Sequence, residues 1–232
     1  MSPSTKQHLI ETGLGMLLER GYNGLGVEAL LTVAEVPKGS FYHHFRDKED
    51  FALQVVDAYM AQVHAGLEAC LQDQARPPLA RVRGFFEATE RKYREEGYLG
   101  CLLGGLGQEL SGVSEAFRNR IEACLAFISG RMAACLDEAR RAGEIPDGCD
   151  VQRLADLLVD CWEGAALRSR LRRDPAPLST MLDFYLASLK GGGREGGPPP
   201  GGPEASRDRG PVAGPHPPFA DPRAGRAGPD LP

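Results

Sequence analysis

Residues 27–51, VEALLTVAEVPKGSFYHHFRDKEDF, hold more structural information than any other stretch of this 232-residue chain. Val27, Leu30, Leu31 and Ala34 recur at helical spacing and predict a helix that stops at Glu35-Val36-Pro37. A short second helix follows over Lys38 to Phe45, then a charged restart at Asp47-Lys48-Glu49. Helix, tight turn, short helix is the helix-turn-helix arrangement, whose second helix is presented to the DNA major groove. Pro37 falls at the mouth of a helix, where its fixed φ and missing N–H do least harm. Gly39-Ser40 keeps the next first turn free of bulk, so its backbone can approach a phosphate. Phe41 and Phe45, four apart, share the buried face. That leaves Lys38, Ser40, Tyr42, His43 and His44 pointing outward, with Gly39 giving backbone access and Lys48 beside them.

Working outward, Ser4 or Thr5 can cap a first helix with Leu9, Gly13, Leu14, Leu17 and Leu18 inside and Gly21 at its end. From Lys48 a long helix repeats Phe51, Val55, Tyr59, Val63 and Leu67 to about Gln72, where Arg76-Pro77-Pro78 breaks the chain. Further helices are expected from Leu79 through Tyr93 to a stop at Gly97, across the glycine-rich GYLGCLLGGLGQELSG (97–112), and from Phe117 through Leu136 to an end at Ala142-Gly143. Two more are expected over 151–172 and 177–190. The last shows a near-heptad seam of Leu178, Met181, Leu182, Tyr185, Leu186 and Leu189. The class is therefore all-α. A DNA-binding domain is expected over 1–47 and a helical sensing and dimerisation domain over 48–190. The helices over 151–172 and 177–190 each need a second apolar partner, and a symmetry mate would complete a four-helix bundle. Residues 191–232 hold eleven Gly and eleven Pro with almost nothing apolar, so a disordered tail is expected there.

Net charge is −5, and residues 1–50 carry five Lys/Arg against seven Asp/Glu, so this is no generally basic nucleic-acid binder. Lys38, His43, His44, Arg46 and Lys48 nevertheless cluster, while the acids lie mostly on the preceding helices. Binding should therefore be steep in salt, because phosphate contacts release counterions. No run of eighteen apolar residues exists, so no membrane segment is expected. The N-terminus reads as a capped helix rather than a signal sequence. Six cysteines without paired CxxC spacing indicate neither a disulfide framework nor a zinc site. No metal or cofactor is expected, and the cytoplasm is the natural compartment.

PKGSFYHHFRDKEDF closely resembles the signature of TetR-family transcriptional repressors. The resemblance implies an all-helical homodimer that binds a palindromic double-stranded DNA operator and is released by a small-molecule inducer. It also implies dimerisation through the helices near 151–190, and a fourth helix that transmits the signal between domains. GCLLGGLGQELSGVSEAFRNRIE and DCWEGAALRSRL are similar to segments of one subgroup, which includes acrylate-responsive repressors and repressors of electrophile response. That subgroup reads GCL-x-x-N-L-(G/A)-x-E, with the cysteine as the reactive sensor in its electrophile-responsive members. Cys101 stands on that position, and Gly105 stands where the subgroup often has Asn. Trp162, Glu163, Gly164 and Ala165 match a WEGA pattern, and Arg170 replaces the usual lysine, keeping the charge without the option of a neutral base.

From the residues alone, Cys101 falls at or near a helix N-terminus, where free N–H groups and the helix dipole are expected to stabilise a thiolate. An isolated Cys in an apolar helix is more commonly a small core residue, and Cys70, Cys124, Cys135, Cys149 and Cys161 are assigned to packing. Glycines at 104, 105 and 107 make that helix easily reorganised. Tyr93, Tyr98, Gln108, Trp162 and Arg168 are the further candidates for inducer contacts. Sensing at Cys101 by a covalent electrophile and sensing by a purely reversible ligand both remain open. A thiol-dependent enzyme built on Cys101 is the reading from another class; no HExxH, GxSxG or phosphate loop supports it.

Overall fold

The computed structural model describes residues 4–191, whose regular structure is all helix, with no strand among the described residues. The helices are α1 (Thr5–Arg20), α2 (Val27–Val33), α3 (Ser40–His44), α4 (Lys48–Leu71), α5 (Pro78–Glu95), α6 (Leu102–Leu110), α7 (Glu115–Arg141), α8 (Val151–Arg172) and α9 (Ala176–Gly191). Apart from Gly191, the expectation for the 191–232 tail falls outside the described residues.

Caps set the boundaries. Ser4 Oγ accepts the Gln7 N–H at 3.2 Å, and Asp47, Ser114 and Asp150 do the same for α4, α7 and α8. Pro78 starts α5, where its missing N–H costs nothing. After α2, Glu35 adopts φ 54° and the Val36 N–H bonds back to the Leu31 carbonyl at 3.0 Å. That is a Schellman-type stop with Glu in the place usually given to Gly. It turns the chain sharply before Pro37, whose carbonyl accepts the Ser40 N–H at 2.9 Å and launches α3. The second helix is thus shorter than the expected 38–45, because Lys38 and Gly39 are spent on the turn.

Gly13 on α1 is a packing glycine. A Cβ there would stand 2.9 Å from Phe51 Cε1 and closer still to Cζ, so the α1–α4 crossing depends on its absence. Phe41, Phe45 and Phe51 form one aromatic cluster, with ring centroids 4.9–5.4 Å apart, which roots the short α3 in the core.

The apolar core does not divide at residue 47. One cluster joins α1, α2, α3 and the first half of α4 to α6 and the start of α7, through Leu102, Leu103, Leu106, Leu110, Phe117 and Ile121. The second joins the end of α4 to α5, the rest of α7, α8 and α9. Buried Arg81 fixes the end of α4, donating to the Leu71 carbonyl at 2.6 Å and to Glu138 Oε2 at 2.5 Å. Outside these clusters Leu157, Leu167, Leu171 and Phe184 are exposed on α8 and α9. No helix among the described residues is long and apolar enough to cross a membrane.

Candidate functional site

Two regions carry chemistry. On the surface of the helix-turn-helix unit, Tyr42 is 69% exposed while Phe41 on the same helix is fully buried. His43 is exposed, and His44 and Ser40 are half-buried. The side chain of Lys38 is 82% exposed and pairs with Glu28 on α2 at 2.8 Å. Each partner favours the charged form of the other. Any phosphate contact by Lys38 must therefore compete with Glu28, at little cost because the pair is in solvent. Lys48 is placed differently. It is half-buried, with its ammonium 4.2 Å from the Tyr22 ring centroid, and burial lowers its pKa.

The second region is an apolar cavity of about 190 Å³ walled by α4, α5, α6, α7 and α8. Tyr59, Phe86, Tyr93, Cys101, Trp162 and Glu163 are among its walls. The Phe86 and Trp162 rings pack 4.6 Å apart, and the tyrosines and Glu163 supply its inner polar groups. Lys92 also lines it, with Nζ donating to Gln62 Oε1 at 2.9 Å. Burial pushes the Tyr59 and Tyr93 hydroxyls well above the ordinary tyrosine range, and Glu163 above the usual carboxylate range. The two hydroxyls are thus present chiefly as donors.

Cys101 caps α6 from a β-region backbone, so the helix N-terminus lies where the sequence placed it. The chain reaches it through three left-handed residues, Gly97, Tyr98 and Gly100. The expectation of a stabilised thiolate is overturned. Burial pushes the thiol up to about 12, the Glu163 carboxylate adds to the rise, and the Gly104 N–H opposes it without prevailing. Dipole and N–H groups are worth a few tenths to about 2 kcal/mol, less than the desolvation of an anion in an apolar wall. Tyr59 Oη lies 3.8 Å from Cys101 Sγ, and either atom can be the donor.

The structure brings Tyr93, Cys101 and Trp162 together in this cavity. Gln108 instead lines an outer groove with Cys101, Gly104, Glu163 and Arg170. Tyr98 and Arg168 line neither. Tyr98 donates its N–H to the Tyr93 carbonyl at 2.6 Å, and Arg168 is exposed. Arg170 is occupied with main chain, donating to the Leu99 carbonyl at 2.9 Å and to that of Glu19 at 3.4 Å. Tyr59, Gln62, Thr89, Lys92 and Glu163 are cavity residues that were not among the sequence candidates. Tyr59 was hidden in an i,i+4 stripe that reads as core, and Cys70, assigned to packing, also lines the cavity.

Comparison with known proteins agrees with this architecture. Residues 9–55 match the family described as bacterial regulatory proteins, tetR family, and residues 78–185 match the tetracyclin repressor-like C-terminal domain. The chain is 40% identical over 180 residues to the transcriptional regulator AcuR of Cereibacter sphaeroides, covering 77% of this chain and 82% of that one. It is 34% identical over 184 residues to the HTH-type transcriptional repressor DhaR of Mycobacterium sp., covering 79% and 91%. It is 31% identical over 179 residues to the HTH-type transcriptional repressor NemR of Escherichia coli K12, covering 77% and 90%. Among solved structures, a regulatory protein TetR from Rhodobacter sphaeroides superposes with a TM-score of 0.75 at 38% identity, covering 78% of this chain and 96% of that one. Reduced E. coli NemR superposes with a TM-score of 0.72 at 30% identity, covering 79% and 95%. With the helix-turn-helix unit, the cavity between the helices of the second region and these relatives in agreement, the chain belongs to the TetR family of bacterial transcriptional regulators.

Proposed function

We propose that this TetR-type transcriptional repressor works in the cytoplasm as a homodimer on a palindromic operator, and leaves it when a small electrophile or unsaturated acid or aldehyde enters the cavity at Cys101. The observation that carries the reading is the place of Cys101. It is at once a wall of the cavity and the N-cap of α6, whose other end holds the DNA-binding helices. Anything that swells or covalently fills the cavity beside Cys101 pushes on α6 and on Tyr59 of α4 together. Moving an operator-competent dimer from mostly bound to mostly free takes roughly 5 kcal/mol of differential affinity. A covalent adduct supplies that readily.

Leu157 and Leu171, a heptad repeat with Gly164 midway, and Phe184 on α9 support dimerisation through α8 and α9. A Cβ at Gly164 would meet nothing within 4 Å, so a partner helix can come close there. The twofold axis then sets two copies of α3 about one DNA turn apart.

A second reading, reversible binding without thiol chemistry, is favoured by the Cys101 thiol being pushed up to about 12. A gel shift on the DNA upstream of the protein's own gene separates the two. Release by acrolein that is lost in Cys101→Ser supports the thiol switch. Release by acrylate that survives Cys101→Ser supports the reversible pocket. Failure to bind that DNA specifically, with turnover of a substrate instead, would favour an enzyme.

A further inference from the structure

A thiol reacts as its thiolate, and Cys101 is held in a wall that disfavours one. Some group must take its proton as it reacts. The two cations nearest the cavity are engaged elsewhere, Lys92 with Gln62 and the Tyr59 ring, Arg170 with main-chain carbonyls.

Glu163 is placed otherwise. Its carboxylate reaches from α8 to the first turn of α6 and lies against Gly104. A Cβ on Gly104 would stand 3.5 Å from Glu163 Cδ and 3.9 Å from Cys101 Cβ, with Glu163 Oε2 inside van der Waals contact. The carboxylate fits only because residue 104 has no side chain. Cys101 and Glu163 face both the cavity and the outer groove side by side, with the first turn of α6 at Gly104 against both of them.

We propose that Glu163 is the proton acceptor for Cys101 when the thiol adds to an electrophile in the cavity, a role that rests on the thiol reading above. With an α,β-unsaturated carbonyl compound the C–S bond forms at the β-carbon as the S–H proton moves to a Glu163 oxygen. The C=C π electrons pass to the carbonyl oxygen as an enolate. The enolate then takes the proton back from Glu163 at the α-carbon. Hydrogen and sulfur have been added across the double bond, nothing has left, and Glu163 is again ionised. Tyr59 Oη, 3.8 Å from Sγ, and the neighbouring Tyr93 hydroxyl are donors for the enolate oxygen. The groups that face the pair are Tyr59 from α4, Lys92 and Tyr93 from α5, and Arg170 from α8.

The test is the rate of Cys101 labelling by N-ethylmaleimide in the full-length protein, read by peptide mass mapping from pH 6 to 9. In the wild type the rate should change little with pH over this range, because the ionised Glu163 takes the thiol proton. In Glu163→Gln it should be at least about tenfold lower at pH 7 and climb roughly tenfold per pH unit, following the thiol alone. Gly104→Ala keeps both reacting groups and improves helix propensity, yet displaces the carboxylate, so its profile should shift towards that of Glu163→Gln. It decides the matter if Glu163→Gln fails to fold. Equal or faster labelling in the variants, with the wild-type pH profile, overturns the role of Glu163 alone. A wild-type Cys101 that takes no label overturns the thiol sensor and this role with it.

Discussion

Glu109, in the last turn of α6, accepts the backbone N–H of Tyr22 at 2.7 Å with one carboxylate oxygen and that of Asn23 at 2.6 Å with the other. Those two bonds tie α6 to the loop between α1 and α2. A Cβ at Gly21 would stand 2.6 Å from Glu109 Oε2, so the loop is shaped to receive the carboxylate. Lys48 over the Tyr22 ring and the Ser114 hydroxyl, donating to Glu49 at 2.6 Å, close the same corner. Cys101 and Glu109 are thus the two ends of one short helix, facing the cavity and the DNA-binding helices respectively.

Removing that clamp should cost stability and coupling together. Two charge-assisted hydrogen bonds are lost in Glu109→Ala, a cost of about 1–3 kcal/mol, or roughly 2–12 °C in Tm for a domain of this size. Thermal unfolding checks the first part. The second is checked by titrating operator release with acrolein, where the variant should respond less than the wild type.

On the DNA side, Tyr42→Ala should lower operator affinity about tenfold or more while changing stability by no more than about 0.5 kcal/mol, because the side chain is largely in solvent. Fluorescence anisotropy with a labelled operator, beside a urea melt, tests both halves. Lys38→Ala should reduce the salt dependence of binding as well as its strength. Lys48→Ala should act through the Tyr22 corner, and so should cost Tm as well as affinity.

Leu157→Glu and Phe184→Glu put charge on the exposed faces of α8 and α9. Sedimentation should show a helical monomer with operator affinity greatly reduced. A dimer that persists in both variants would move the interface elsewhere.

Alkaline pH should unfold the protein early. Cys101 and Cys135 are pushed up by burial, to about 12 and about 11, from an ordinary value near 9.0. Between those values the native state keeps protons that the unfolded chain releases, so stability is full below pH 9 and falls as pH rises towards 11–12. Each group contributes a slope of about 1.4 kcal/mol per pH unit over its own window. Urea midpoints at pH 8 and pH 10 measure the fall, and Cys135→Ala should make it shallower.

Gly13→Ala places a methyl group against the Phe51 ring, in the contact that sets the α1–α4 crossing. Overpacking of this kind costs about 1–3 kcal/mol. The Tm should drop even though alanine favours a helix.

The sequence by itself determined most helix boundaries to within a few residues, the short α3 excepted, because caps, prolines and apolar periodicity are local. Ser4, Asp47, Pro77-Pro78 and Gly143 can be read without knowing what the helices pack against. It also determined the helix-turn-helix unit, where Phe41 and Phe45 can only be buried and Tyr42 only exposed on so short a helix. Only the tertiary structure decided the chemistry of the cavity. Tyr59 belongs to the same stripe as Val55 and Val63, and nothing local distinguishes a core position from a cavity wall. Cys101 was legible as a helix cap, and its free N–H groups argued for an acidic thiol. Burial and Glu163, 62 positions away in the chain, reverse that sign. Desolvation and through-space charge depend on what the folded chain brings together, and no spacing along the sequence encodes them.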